Sequence, residues 1–150
     1  MPRKPRTLRG PVPTYLEESG LLTRGYTVVA GLDEVGRGPL AGPVAAAAVA
    51  FAPNPSGDWV SLVRDSKRLS RAQREHLVPY LEDAALETHV GMSTPGEIDE
   101  IGIVPATHLA MRRALYDLPL MPQFLLVDAL TLSEVRIPQK AIVHGDALCL

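Results

Sequence analysis

Gly31-Leu32-Asp33-Glu34-Val35-Gly36-Arg37-Gly38-Pro39-Leu40-Ala41-Gly42-Pro43-Val44 is the stretch on which the reading of this chain turns. It is preceded by the apolar run Tyr26-Thr-Val-Val-Ala30 and followed by Ala45-Ala-Ala-Ala-Val-Ala-Phe51-Ala52. Two apolar runs of strand length around a turn rich in glycine and proline read as strand, tight turn, strand. Two adjacent carboxylates, Asp33 and Glu34, close the first run. Side by side they repel each other unless something positive stands between them, and a divalent cation answers that description. The plain alternative is a strand that simply ends in solvent.

Arg37 lies between two glycines, so backbone amides and a guanidinium can approach a ligand without Cβ atoms in the way. Gly36-Arg-Gly38-Pro-Leu-Ala41 also fits the dinucleotide pattern G-x-G-x-x-A. That pattern requires a helix opening on the glycines to meet a pyrophosphate. Here Pro43 and a strand-like run follow, and two carboxylates would repel the phosphates.

Outward from this stretch, the chain is one domain's worth of sequence: 150 residues, 46% hydrophobic, with a net charge of −2. It is long enough to bury a core. The charge does not announce a nucleic-acid binder, so affinity for phosphates must come from local patches. The single cysteine, Cys149, excludes an internal disulfide and suits a reducing cytoplasm, the expected location. Met1 to Pro13 carries Arg3, Lys4, Arg6 and Arg9 among prolines and reads as a flexible basic arm. With a lead-in helix over Thr14–Leu22 it makes a unit of residues 1–25, and residues 26–150 make the catalytic domain. Pro11, Pro13 and Glu17-Glu18 stand where a signal peptide would place an apolar segment. The longest apolar run, Val44 to Ala52, falls well short of the roughly 20 residues that cross a bilayer.

Arg64, Lys67, Arg68, Arg71 and Arg74 form a basic run, usually a solvated face. Ser70 and Gln73 have the spacing of a capping box and predict a helix with Leu77, Tyr80, Leu81, Ala84 and Ala85 on one face, kinked or split at Pro79. Pro105 suits the first turn of a helix ending at Tyr116. The acids Asp99 and Glu100 are explained by a helix dipole, and His108 by a helix face. Phe124-Leu-Leu-Val127 ends in Asp128, and Ala141-Ile-Val143 is followed by His144-Gly145-Asp146, so a strand ends in an acid three times. Such acids meet at one sheet edge in open α/β folds. Asp33, Glu34, Asp128 and Asp146, with no His/Cys set beside them, select Mg²⁺ or Mn²⁺. Two such ions about 4 Å apart hydrolyse phosphodiesters by in-line displacement.

The motif Gly31 to Val44 closely resembles the opening motif of ribonuclease HII. Asp65-Ser66-Lys67-Arg68-Leu69-Ser70 resembles that family's second block, and Ile98-Asp99-Glu100-Ile101 with Ala106-Thr107 its third. The resemblance spans about Val28 to Leu148, with Gly102 in place of the usual Asn, Ala129 of Gly and His144 of Lys. It implies an α/β, ribonuclease H-like fold: a mixed five-stranded sheet flanked by helices, with strands near 27–33, 44–52, 88–92, 123–128 and 140–144. It implies a monomeric endonuclease that uses two Mn²⁺ or Mg²⁺ ions and acts on RNA:DNA hybrids. Duplex DNA containing ribonucleotides is cut on their 5′ side, leaving 3′-hydroxyl and 5′-phosphate. Asp33, Glu34, Asp128 and Asp146 would hold the metal, Gly36, Arg37 and Gly38 would read the 2′-hydroxyl, and Lys67 would contact phosphate. The family also continues past Gly-Asp into a C-terminal helical region that this chain lacks. A catalytically impaired fragment that only binds hybrid duplexes is therefore the alternative.

Overall fold

The computed structural model describes residues 13–53, 55–143, 145 and 149. The basic arm, His144 and Asp146 lie outside the described residues. Five strands form one mixed sheet in the order β3-β2-β1-β4-β5. β1 (Val29–Val35) turns through the glycine-rich loop into antiparallel β2 (Val44–Phe51), and β2 pairs antiparallel with β3 (Ala85–Ser93). β1 pairs in parallel with β4 (Phe124–Asp128), and β4 with β5 (Gln139–Ile142). The second half of the glycine stretch is thus a strand, as the Ala/Val run predicts, and the dinucleotide pattern fails for want of a helix. β1 runs two residues beyond Asp33, so this carboxylate lies inside the strand, not at its end.

Among the described residues four α-helices accompany the sheet: α1 (Leu16–Thr23), α2 (Arg71–Ala84), α3 (Pro95–Ile101) and α4 (Ile103–Tyr116). On α4, Ala106, Ala110, Met111, Ala114 and Leu115 are fully buried, spaced for one helical face. The last four meet Ala30, Leu32, Val44, Ala46, Ala48, Ala50, Leu125 and Val127, one residue in two along three strands. Alanine on both sides lets helix and sheet approach closely. At Gly91 a Cβ would lie 2.2 Å from the Ala110 carbonyl oxygen, so only glycine fits there. The opposite face is less covered. Leu21 of α1 packs with Val29, Phe124, Leu126 and Ile142, whereas Val90 and Met92 are exposed.

Ser70 caps α2, and the reciprocal Gln73 contact completes the expected box. Pro79 does not split that helix, which runs unbroken from Arg71 to Ala84. The chain then enters β3 directly at Ala85, three residues before the expected start. A second capping box, Thr94 with Glu97, opens α3. Glu97 also receives both terminal nitrogens of Arg113, at 2.9 and 2.7 Å, while Arg113 donates to the Met92 carbonyl at 2.7 Å. This pair joins α3, α4 and the end of β3.

Arg113 first, then the Thr94 amide, holds the Glu97 carboxyl down at about 2 against an ordinary 4.5. The folded carboxyl is the more acidic one, so its contribution is complete above the ordinary value and is lost as pH falls toward about 2. Melting temperature should therefore fall more steeply with acid across that window in the parent than in Glu97→Gln. Equal slopes would show that the ion pair adds nothing to stability.

Candidate metal and substrate site

In the parallel pairing of β1 and β4, Leu32 stands opposite Val127. The next residue on each strand is a carboxylate. Neighbouring strands run about 4.8 Å apart, so Asp33 and Asp128 are lateral neighbours. Alternation settles their face. Ala30, Leu32, Leu125 and Val127 belong to the core under α4, and Val29, Phe124 and Leu126 to the opposite cluster; Asp33 and Asp128 share the latter side. Both line a cavity of ≈ 430 Å³, together with Arg64, Ser66, Leu126 and Gly145.

Each carboxylate is partly oriented by backbone. Asp33 Oδ1 accepts from the Glu34 amide at 2.7 Å, and Asp128 Oδ1 from the Gly145 amide at 2.9 Å. The latter bond brings the chain segment after β5 against Asp128. Asp146, the next residue, lies outside the described residues. Glu34 alternates to the other side of β1, where its Oε1 accepts from Arg37 Nη1 at 3.1 Å. Its Oε2 is buried with no hydrogen-bond partner among the described residues. Such an orphaned carboxylate oxygen is costly unless a cation or donor meets it. Among the described residues no three His, Cys, Asp or Glu side chains stand close enough to hold an ion; the structure brings together the pair Asp33 and Asp128. The donors are all oxygen, which fits a hard divalent cation.

Gly36 has φ of 101°, and a Cβ there would lie 2.5 Å from the Pro43 carbonyl oxygen, so the turn itself demands glycine. Gly38 is different: a Cβ would meet no atom within 4 Å. Lys67 is exposed on a 3-10 turn, Ser66–Arg68, which Asp65 caps by accepting from the Lys67 amide at 2.9 Å. Its neighbour Ser66 reaches the cavity.

Two cavity residues escaped the sequence reading. Arg64 stood there only as one charge in a basic run; it lines the cavity, its Nη1 donating to the carbonyls of Ser61 and Val63. Glu18, a helix residue beside another acid, is buried and lines the same cavity. A signal for Arg64 was its place immediately before the Asp65 block. Glu18 had none. Cys149 lines the cavity too, but burial first, then Glu18 and Glu17, pushes its thiol up to about 11, so it is neither a thiolate ligand nor a nucleophile at neutral pH.

A family model described as Ribonuclease HII matches residues 30–146, which is most of the chain. The chain belongs to the ribonuclease HII family. A ribonuclease HII from Dehalococcoides mccartyi is 52% identical over 137 residues, covering 91% of this chain and 65% of that protein. One from Desulfitobacterium hafniense is 46% identical over 132 residues, covering 88% of this chain and 50% of that protein. The chain thus spans about half to two thirds of the length of these relatives. Among solved structures, the ribonuclease H2 of Pyrococcus horikoshii superposes with a TM-score of 0.60 at 33% identity, over 72% of this chain and 51% of that one. The ribonuclease H-like fold is therefore shared.

Ala129, directly after Asp128, is the one non-glycine residue with positive φ among the described residues, at 51°. The left-handed region costs an L-residue about 1–2 kcal/mol, a cost that glycine does not bear. Part of any gain is returned through the larger unfolded-state entropy of glycine. Ala129→Gly should stabilise the fold by about 0.5–1 kcal/mol, read from urea denaturation midpoints. A loss of stability would show that the turn is not strained.

Proposed function

We propose that this chain carries the catalytic core of an endonuclease that hydrolyses the RNA strand of RNA:DNA hybrids and cuts on the 5′ side of ribonucleotides in duplex DNA. The supporting observation is the lateral pairing of Asp33 and Asp128 on one sheet face, with the Gly36-Arg37-Gly38 turn continuing from β1. Asp33, Asp128 and Asp146 would hold two Mn²⁺ or Mg²⁺ ions on the cavity side of the sheet, and Glu34, which lies on the other side of β1, would join them only by turning from Arg37 round the strand end. Bound there, the ions supply an activated water and charge stabilisation for the leaving oxygen.

The remaining work falls to the chain's own groups. Gly38 leaves open space beside its backbone, where a sugar can come close enough for backbone groups to test its 2′-hydroxyl. A site that hydrogen-bonds a hydroxyl rejects the analogue lacking it by about 10⁴ or more, because its own polar groups are left unpaired. Arg37 is already engaged with Glu34, so it reaches a phosphate only by loosening that pair. Lys67, exposed on its turn, is the second group placed to meet the backbone.

The second reading, a fragment that binds hybrids without cutting them, is favoured by one observation: Val90 and Met92 stay exposed on the cavity side of the sheet in a chain covering 65% of a relative. A single experiment separates the two. With Mg²⁺ or Mn²⁺, a duplex carrying one ribonucleotide should be cleaved and the all-DNA duplex left intact. Binding without cleavage would establish the second reading.

Asp128→Asn removes a ligand charge but keeps the shape. Cleavage should fall by more than the 10–100-fold typical of an outer-shell partner, with melting temperature kept or raised because like charges no longer face each other. Parent-like cutting would overturn the assignment. Gly38→Ala should fold as the parent does and lose most cleavage; full activity would reduce the loop to a turn.

A further inference from the structure

Leu40 is the most exposed large hydrophobic side chain among the described residues, at 107% of its reference area. Single exposed leucines are ordinary, but the position of this one is not. It lies three residues from Arg37 on the same loop, so their Cα atoms are at most roughly 11 Å apart. A nucleic-acid duplex resting on Arg37 and the Gly38 backbone would lie within reach of it. The loop is also shaped: Gly36 and Gly42 hold φ of 101° and 109° at its two ends, and Pro39 fixes φ immediately before Leu40.

Behind Leu40 runs a groove of ≈ 270 Å³ lined by Pro39, Gly42, Pro95, Ile98 and Ile103. Among the described residues, its one ionisable lining residue is Asp99 and no cation lines it. Such a wall repels phosphate and suits the C–H faces of sugars. Leu, Ile and Pro are the residues with which proteins press into minor grooves, and the minor groove of A-like helices is wide and shallow enough to admit them.

We propose that Leu40 is a substrate-contacting residue that packs on the sugar wall of the duplex minor groove, beside the nucleotide held by the Gly36–Gly38 turn. This rests on the nuclease reading above. Phosphate is then met on the Arg37 side of the loop and sugar on the Leu40 side, which sets the register of the duplex over Asp33 and Asp128.

The test is duplex binding by fluorescence anisotropy, with a duplex carrying one ribonucleotide and Ca²⁺ replacing Mg²⁺, for the parent, Leu40→Ser and Leu40→Met. Leu40→Ser should weaken Kd about tenfold, equal to about 1.4 kcal/mol, and Leu40→Met should stay within about twofold of the parent. Melting temperatures should match, because Leu40 contacts no core. The slope of log K against log salt should be unchanged in Leu40→Ser, since an apolar contact releases no counterions, whereas loss of a phosphate contact at Lys67 should flatten it by about 0.9. A parent that binds the duplex while Leu40→Ser binds equally well overturns the contact alone and leaves the nuclease reading standing. A parent that binds no duplex overturns both.

Discussion

The parallel pairing of Val29–Leu32 with Phe124–Val127 is the constraint on which the rest depends. Residues almost one hundred positions apart must meet in one register for two carboxylates to become neighbours. A slip of one residue would send Asp128 to the face under α4 and Val127 to the cavity. Burial enforces the register: Leu125 and Val127 are enclosed beneath α4, and Phe124 and Leu126 pack with Leu21 on the other side. Apolar area thus fixes where the charges stand, although the charges themselves oppose being brought together.

The two faces of the sheet do different jobs. Beneath α4 the interface is closed, built from alanines and Gly91 at near-minimal separation, and it makes a rigid floor. The other side carries the cavity, the carboxylates and exposed Val90 and Met92. Segments from elsewhere border it: α1 is tied to β5 by Lys140 and Glu17 at 2.7 Å, and the turn bearing Arg64 and Ser66 stands at its rim. Gln139 closes the loop after Asp128 by exchanging hydrogen bonds with the backbone of Leu132. The segment next to the site is therefore anchored at several points, while the site face itself remains open.

Much of this was legible in the sequence because it rests on local rules. The strand, glycine turn and strand of 26–52 follow from apolar period and from Gly and Pro, and Ser70 with Gln73 declares the start of α2. The start of β3 was missed because Ala85 to Glu87 continues the helical pattern of α2, and pairing with β2 overrides it. Asp99 and Glu100, read in the sequence as acids of a helix, do fall on one, the seven-residue α3 that Thr94 and Glu97 open. Glu18 and Arg64 were illegible for another reason: their importance comes from where α1 and the 58–70 segment fold back, which no local pattern encodes. Asp146 falls outside the described residues, so the third strand-terminal acid stays an inference from sequence.

The charge arrangement around β1 follows from the same alternation. Asp33 and Glu34 are adjacent in sequence, and in an extended strand adjacent side chains take opposite faces. Asp33 joins Asp128, while Glu34 is left to find a partner on its own side and takes Arg37, at i+3 across the glycine turn. Among the described residues only one of its oxygens is satisfied. The turn is consequently held by a half-satisfied pair, and a guanidinium so placed is neutralised yet not locked in a bidentate fork of the kind Arg113 makes with Glu97. The contrast is physical and local. The bidentate pair fixes helices in the scaffold, and the single-contact pair leaves the loop beside the carboxylates able to exchange partners.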